Sequence, residues 1–87
     1  LTMQRHEYRS ETWNLVSGKA HIKMSHSSLD PFDGCVVYEL DPSNPVDVVR
    51  GIWHQGCNDS DKPAHIVEIW KGPSEYLTED DIERYNV

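Results

Sequence analysis

Turn-forming residues interrupt this chain so often that no long helix fits between them. "SGKA" at 17–20, "SSLDPFDG" at 27–34, "DPSNP" at 41–45, "RG" at 50–51, "NDSDKP" at 58–63 and "KGPS" at 71–74 separate short runs rich in Val, Ile, Trp and Tyr. Such spacing predicts an all-β sandwich or barrel. The 87 residues suit a single domain, 1–87, and a chain of this size buries only about 60% of the surface its unfolded form exposes.

Within each run, alternation assigns faces, because successive strand side chains point to opposite sides. Gln4, His6 and Tyr8 share one side of the first run; Glu11, Trp13 and Leu15 share one side of the second. Ala20, Ile22 and Met24 form the apolar side of the third, which leaves His21 and Lys23 facing water. The run "AHIVEIW" at 64–70 is apolar on both sides and predicts a buried strand, with Glu68 on the side of Ile66 and Trp70. In "LTEDDIERY", Thr78 followed by Asp81 three residues later has the form of a capping box, with Glu79 and Asp80 near the positive end of the dipole. A short C-terminal helix is expected there.

Composition narrows the partners. The formal charge is −7 and the eight Lys and Arg are scattered, which argues against nucleic acid. The sequence has no apolar run near the roughly 20 residues of a membrane span, and no secretory signal pattern, so a cytoplasmic location is expected. Cys35 and Cys57 form no CxxC pair and read as free thiols serving as small buried hydrophobes. Trp13, Trp53 and Trp70 read as core or pocket wall. His21, His26 and His65 sit at no ligand spacing and read as surface or loop residues.

If the first two runs pair as antiparallel strands joined by a tight turn near Arg9 and Ser10, then Gln4, His6 and Glu11 converge. Their nitrogen and oxygen donors suit one borderline divalent ion, Zn first, with Mn, Fe, Co or Ni as alternatives. A fourth donor would come from a distant strand, and "GIWHQGCN" offers His54.

At these residues the sequence resembles the cupin superfamily. Gln4-x-His6, Glu11 and Gly18 stand as its first motif, and Gly51-x-x-His54-x-x-x-Asn58 as its second. Gln4 occupies the place of a first histidine, and Val49 that of a usual proline. A narrower likeness runs through "LTMQRHEYRSETWNLVSGKA", "GIWHQGCN" and "EYLTEDDIERYNV", which look like the cupin domain of type II mannose-6-phosphate isomerases, including those fused to mannose-1-phosphate guanylyltransferases. The resemblance implies a jelly-roll barrel (double-stranded β-helix) lacking the usual first strand, with Gln4, His6, Glu11 and His54 as metal ligands. It also implies interconversion of mannose 6-phosphate and fructose 6-phosphate. Glu68 is then the candidate proton carrier, and Arg9 and Arg84 are candidates to hold a sugar phosphate. A homodimer would cover the strand edge left by the short start. Two other readings are a non-catalytic carbohydrate-binding cupin and an iron-dependent dioxygenase. Gln4 weighs against the second, because an amide oxygen is a weak donor to redox iron.

Overall fold

In the computed structural model, which describes residues 2–25 and 30–85, the chain forms eight strands. They are β1 (Gln4–Arg5), β2 (Ser10–Ser17), β3 (His21–Ser25), β4 (Val36–Glu39), β5 (Val46–Val48), β6 (Trp53–Cys57), β7 (His65–Lys71) and β8 (Glu83–Arg84). All pairing is antiparallel, in one sheet ordered β4-β3-β6-β1-β8 and another ordered β5-β2-β7. Trp13 and Leu15 from β2 and Val48 from β5 pack against Ile22 from β3, with Ala20 and Leu40 completing the core. The inner faces of the two sheets therefore close on one another, as in a cupin-type β-sandwich. Among the described residues no helix is long and apolar enough to cross a membrane.

Strand β2 shows how the sequence makes this layer. Glu11, Trp13 and Leu15 alternate inward and are buried, while Thr12 and Asn14 face out and are half-covered. The register with β7 slips between Leu15 and Ser17, and Gly18 follows with φ +85°. A Cβ at Gly18 would lie 2.6 Å from the Pro63 carbonyl oxygen, so this turn requires both the conformation and the bare backbone of glycine. That is why glycine stands seven residues after Glu11.

Three expectations are corrected. The first two runs are not a hairpin: β1 pairs with β6 and β8 while β2 pairs with β5 and β7, so residues 6–9 cross from one sheet to the other. Strand β7 is not buried but lies at an edge, with Val67 and Ile69 about half exposed. No helix forms over "LTEDDIERY". One 3-10 turn, Ser74–Tyr76, precedes that segment, and the segment itself turns and ends in β8. Smaller points follow. The cysteines are free but only partly buried, Trp13 and Trp53 are core, His21 and Lys23 are partly covered, His65 is exposed, and His26 lies outside the described residues.

Candidate metal centre

His6, Glu11 and His54 come together from three places in the chain. The β1–β6 register sets Gln4 opposite His54, which puts both on the inner face. His6 follows β1 immediately, and its carbonyl accepts the Gly51 N–H at 2.8 Å; Gly51 itself has φ +80° in the turn that leads into β6. Glu11 enters from the opposite sheet as the first inward residue of β2. One ligand atom from each of His6, Glu11 and His54 lies within 4.8 Å of the others, and all three side chains are buried.

Backbone carbonyls set both imidazoles. His6 Nδ1 lies 2.6 Å from the Asp81 carbonyl and His54 Nδ1 lies 3.1 Å from that of Ile52. A carbonyl only accepts, so each ring carries its proton on Nδ1 and presents a lone pair at Nε2. Both Nε2 atoms face Glu11, at 3.1 Å from Oε2 for His6 and 3.5 Å from Oε1 for His54. Histidines that bind metals are typically oriented this way, by a hydrogen bond from the other ring nitrogen. The His6 lone pair takes an N–H from Arg9 at 3.2 Å, but His54 Nε2 is buried and unpartnered. Leaving such an atom unsatisfied costs about 1–3 kcal/mol. Two imidazole nitrogens and a carboxylate oxygen match the donor set of a three-ligand zinc-type site with open positions, so the residues fit a borderline divalent cation.

Glu11 is held from both sides. Arg9 Nε donates to Oε2 at 2.9 Å and the Trp13 indole donates to Oε1 at 2.8 Å. Burial alone would raise the Glu11 pKa, but the interactions with His54, His6 and Trp13 outweigh it and hold the carboxyl well below the usual range. With both imidazole protons on Nδ1, neither Nε2 donates to the carboxylate, so the donors that hold it are Trp13 and Arg9. Arg9 is itself buried. It donates to the Thr78 carbonyl at 2.8 Å and lies 3.4 Å over the Trp70 ring.

Beside this cluster, Thr2, Gln4, Arg9, Glu68, Trp70, Glu79, Ile82 and Arg84 line a cavity of about 440 Å³. Glu68 accepts the Trp70 indole N–H at 3.2 Å. Partial burial, and then the nearby Glu11 charge, raise its pKa above the ordinary carboxylate value. Arg84 is exposed and pairs across from Gln4 in the β1–β8 register. Gln4 and Arg84 thus share the cavity with Glu68, whereas the polar groups of Arg9 are committed to Glu11, Thr78 and His6. Asn58 does not reach the cluster; it ties the turn after β6 through Ser60 and Lys62. Sequence reasoning missed the parts played by Thr78, Asp81 and the Trp70 face. The hydrogen-bonding capacity of "TEDD" was visible, but its partner was not.

The family described as mannose-6-phosphate isomerase C-terminal matches residues 1–87. The chain belongs to that family. Among curated proteins, the xanthan biosynthesis protein XanB of Xanthomonas campestris pv. campestris (strain B100) is 31% identical over 85 residues, covering 98% of this chain and 16% of the relative. The alginate biosynthesis protein AlgA of Pseudomonas fluorescens is also 31% identical over 85 residues, covering 98% of this chain and 15% of the relative. The family domain thus spans about a sixth of the length of the curated relatives it matches. No solved structure matches it significantly.

Proposed function

We propose that this domain is a metal-dependent sugar-phosphate isomerase site that interconverts mannose 6-phosphate and fructose 6-phosphate. The single observation that carries the reading is the buried His6–Glu11–His54 group, with two oriented Nε2 lone pairs, in a chain of this family. His6, Glu11 and His54 would hold the cation, with Gln4 as a fourth donor from the face it shares with His54. Zinc suits that set best, and the bound ion would supply positive charge where substrate oxygens become anionic.

The chain's own residues do the rest. Aldose–ketose exchange moves a proton between C1 and C2, so it needs a group that takes the proton from one carbon and returns it to the other. Glu68 is that group in our reading: it lines the cavity next to the cluster and is oriented by the Trp70 indole. Arg84, the exposed arginine of the same cavity, binds the phosphate and thereby positions C2, since orientation alone can contribute several kcal/mol. Arg9 keeps Glu11 ionised and aligned, with substrate contact a secondary role for its cavity-facing surface.

The cavity is open along the edge of β7, where Glu68 is exposed. That openness favours a second reading, a cupin that binds carbohydrate without turnover, because a wet site excludes water poorly. In the first reading a strand from a second copy covers the β7 edge, making a homodimer. Purified protein supplied with Zn or Mn is expected to convert mannose 6-phosphate in a coupled assay. Calorimetric binding of the sugar phosphate without conversion selects the binding module, and neither binding nor conversion rejects both.

A further inference from the structure

The sequence predicts a helix cap at Thr78 to Asp81, and the proposed chemistry gives this segment no task. In the structure it binds the whole crossing between the two sheets. The Asp81 carboxylate accepts the Glu7 N–H on Oδ1 and the Tyr8 N–H on Oδ2, both at 2.9 Å. The Asp81 carbonyl accepts from His6 Nδ1 at 2.6 Å, and the Thr78 carbonyl accepts from Arg9 at 2.8 Å. Four consecutive residues, 6 to 9, are therefore tied to just two, Thr78 and Asp81, about seventy positions later in the chain.

The crossing has no strand partner of its own for these groups, and backbone N–H groups left unpaired are costly. Its conformation also sets where His6 stands relative to Glu11, since His6 ends the path from β1 and Glu11 opens the path along β2. Through Arg9, whose Nε holds Glu11 Oε2, the same segment reaches the second ligand.

We propose that Asp81 is a positioning residue for the metal centre: it locks the crossing and the His6 tautomer, so that His6 and Glu11 are arranged before a cation binds. This rests on the reading of His6, Glu11 and His54 as metal ligands. Asp81 touches neither cation nor substrate; it acts through His6 and the backbone of Glu7 and Tyr8.

Cobalt titration followed by visible absorption, with chelator competition, tests both statements separately. Wild-type protein is expected to bind one Co(II), and failure to bind would reject the metal centre itself. If it binds, Asp81→Asn, which retains one acceptor oxygen, and Asp81→Ala, which retains none, are expected to weaken binding by about ten- to a hundredfold, the alanine more than the amide. The ¹⁵N signals of His6, read without metal at a pH where the ring is neutral, are expected to move from the Nδ1–H form toward a mixture of tautomers. A merely structural contact would not produce that signature. Glu83→Ala serves as the control, because it cuts another tie of the same tail, the exposed Arg5–Glu83 pair at 2.6 Å. It is expected to leave Co(II) affinity within about twofold, as surface pairs contribute little. Unchanged affinity and an unchanged His6 spectrum in both Asp81 variants would overturn the proposal while leaving the metal centre standing. Equal weakening by Glu83→Ala would overturn it too, by making tail docking in general responsible. Should Asp81→Ala unfold, the comparison of Asp81→Asn with Glu83→Ala decides.

Discussion

Strands β2 and β7 run side by side in one sheet and meet residue for residue, with Trp13 opposite Glu68 and Leu15 opposite Ile66. Both present a regular inner face. Yet on β2 that face is sealed, with Trp13 1% exposed, whereas Glu68 and its neighbours on β7 stay partly open to water. The difference comes from position, because β2 has a strand on each side and β7 has one on only one side among the described residues. An inner-facing side chain is buried by what covers it laterally as well as by the opposing sheet. The sealed strand holds a buried carboxylate, Glu11, and the open one lines a cavity.

The strongest way to break this comparison is truncation at matched positions. Trp13→Ala is expected to cost about 3–5 kcal/mol, a large part of the stability of a domain this size, since it empties the core and removes a donor to Glu11. Ile66→Ala, on the half-covered inner face of β7, is expected to cost well under half of that. Urea unfolding of both variants measures the difference, and equal losses would mean that β7 is as sealed as β2.

Acidity sharpens the contrast, because the two strands' carboxylates respond to pH with opposite sign. Glu11 has a lowered pKa in the fold, so its contribution is present above its unfolded value near 4.5 and is lost as pH falls. Glu68 has a raised pKa, so the fold binds its proton more tightly than the unfolded chain does. Its contribution is therefore full at low pH and lost as pH rises through its folded value. Thermal melting of chelator-treated protein is expected to show Glu68→Gln gaining on the wild type as pH rises above about 4.5. A Glu68→Gln stability that falls relative to wild type as pH rises would contradict the assignment.

The smallest effect lies on the outer side of the same edge. Val67→Thr and Ile69→Thr are each expected to change unfolding free energy by no more than about 0.5 kcal/mol, because both side chains are already half in water. A larger loss would reveal that something covers this face in solution.

The sequence made the inward residues legible, but not the sheet each belongs to. Period-2 alternation put Glu11 with Trp13 and Leu15, and the motif spacing singled out His6 and His54; the structure brings those three side chains together. Alternation says nothing about lateral neighbours, which is why "AHIVEIW" read as interior and why β1 and β2 read as a hairpin rather than as members of facing sheets. The helix expected at "LTEDDIERY" failed for a related reason. Thr and Asp satisfy free N–H groups wherever they occur, and here Asp81 satisfies those of Glu7 and Tyr8 instead of its own first turn. Partners seventy residues away leave no local trace.

The Arg9–Glu11 contact has an electrical consequence. Guanidinium and carboxylate cancel, so a divalent ion seated between His6, Glu11 and His54 would have its double charge left uncompensated by those side chains and Arg9 taken together. An electropositive point would then sit inside a shell of formal charge −7. Repulsion from the shell acts through water and fades beyond about 10 Å at 0.1 M salt, whereas attraction inside the sandwich is screened far less. On the proposed function, moderate ionic strength is thus expected to help an anionic sugar reach this interior.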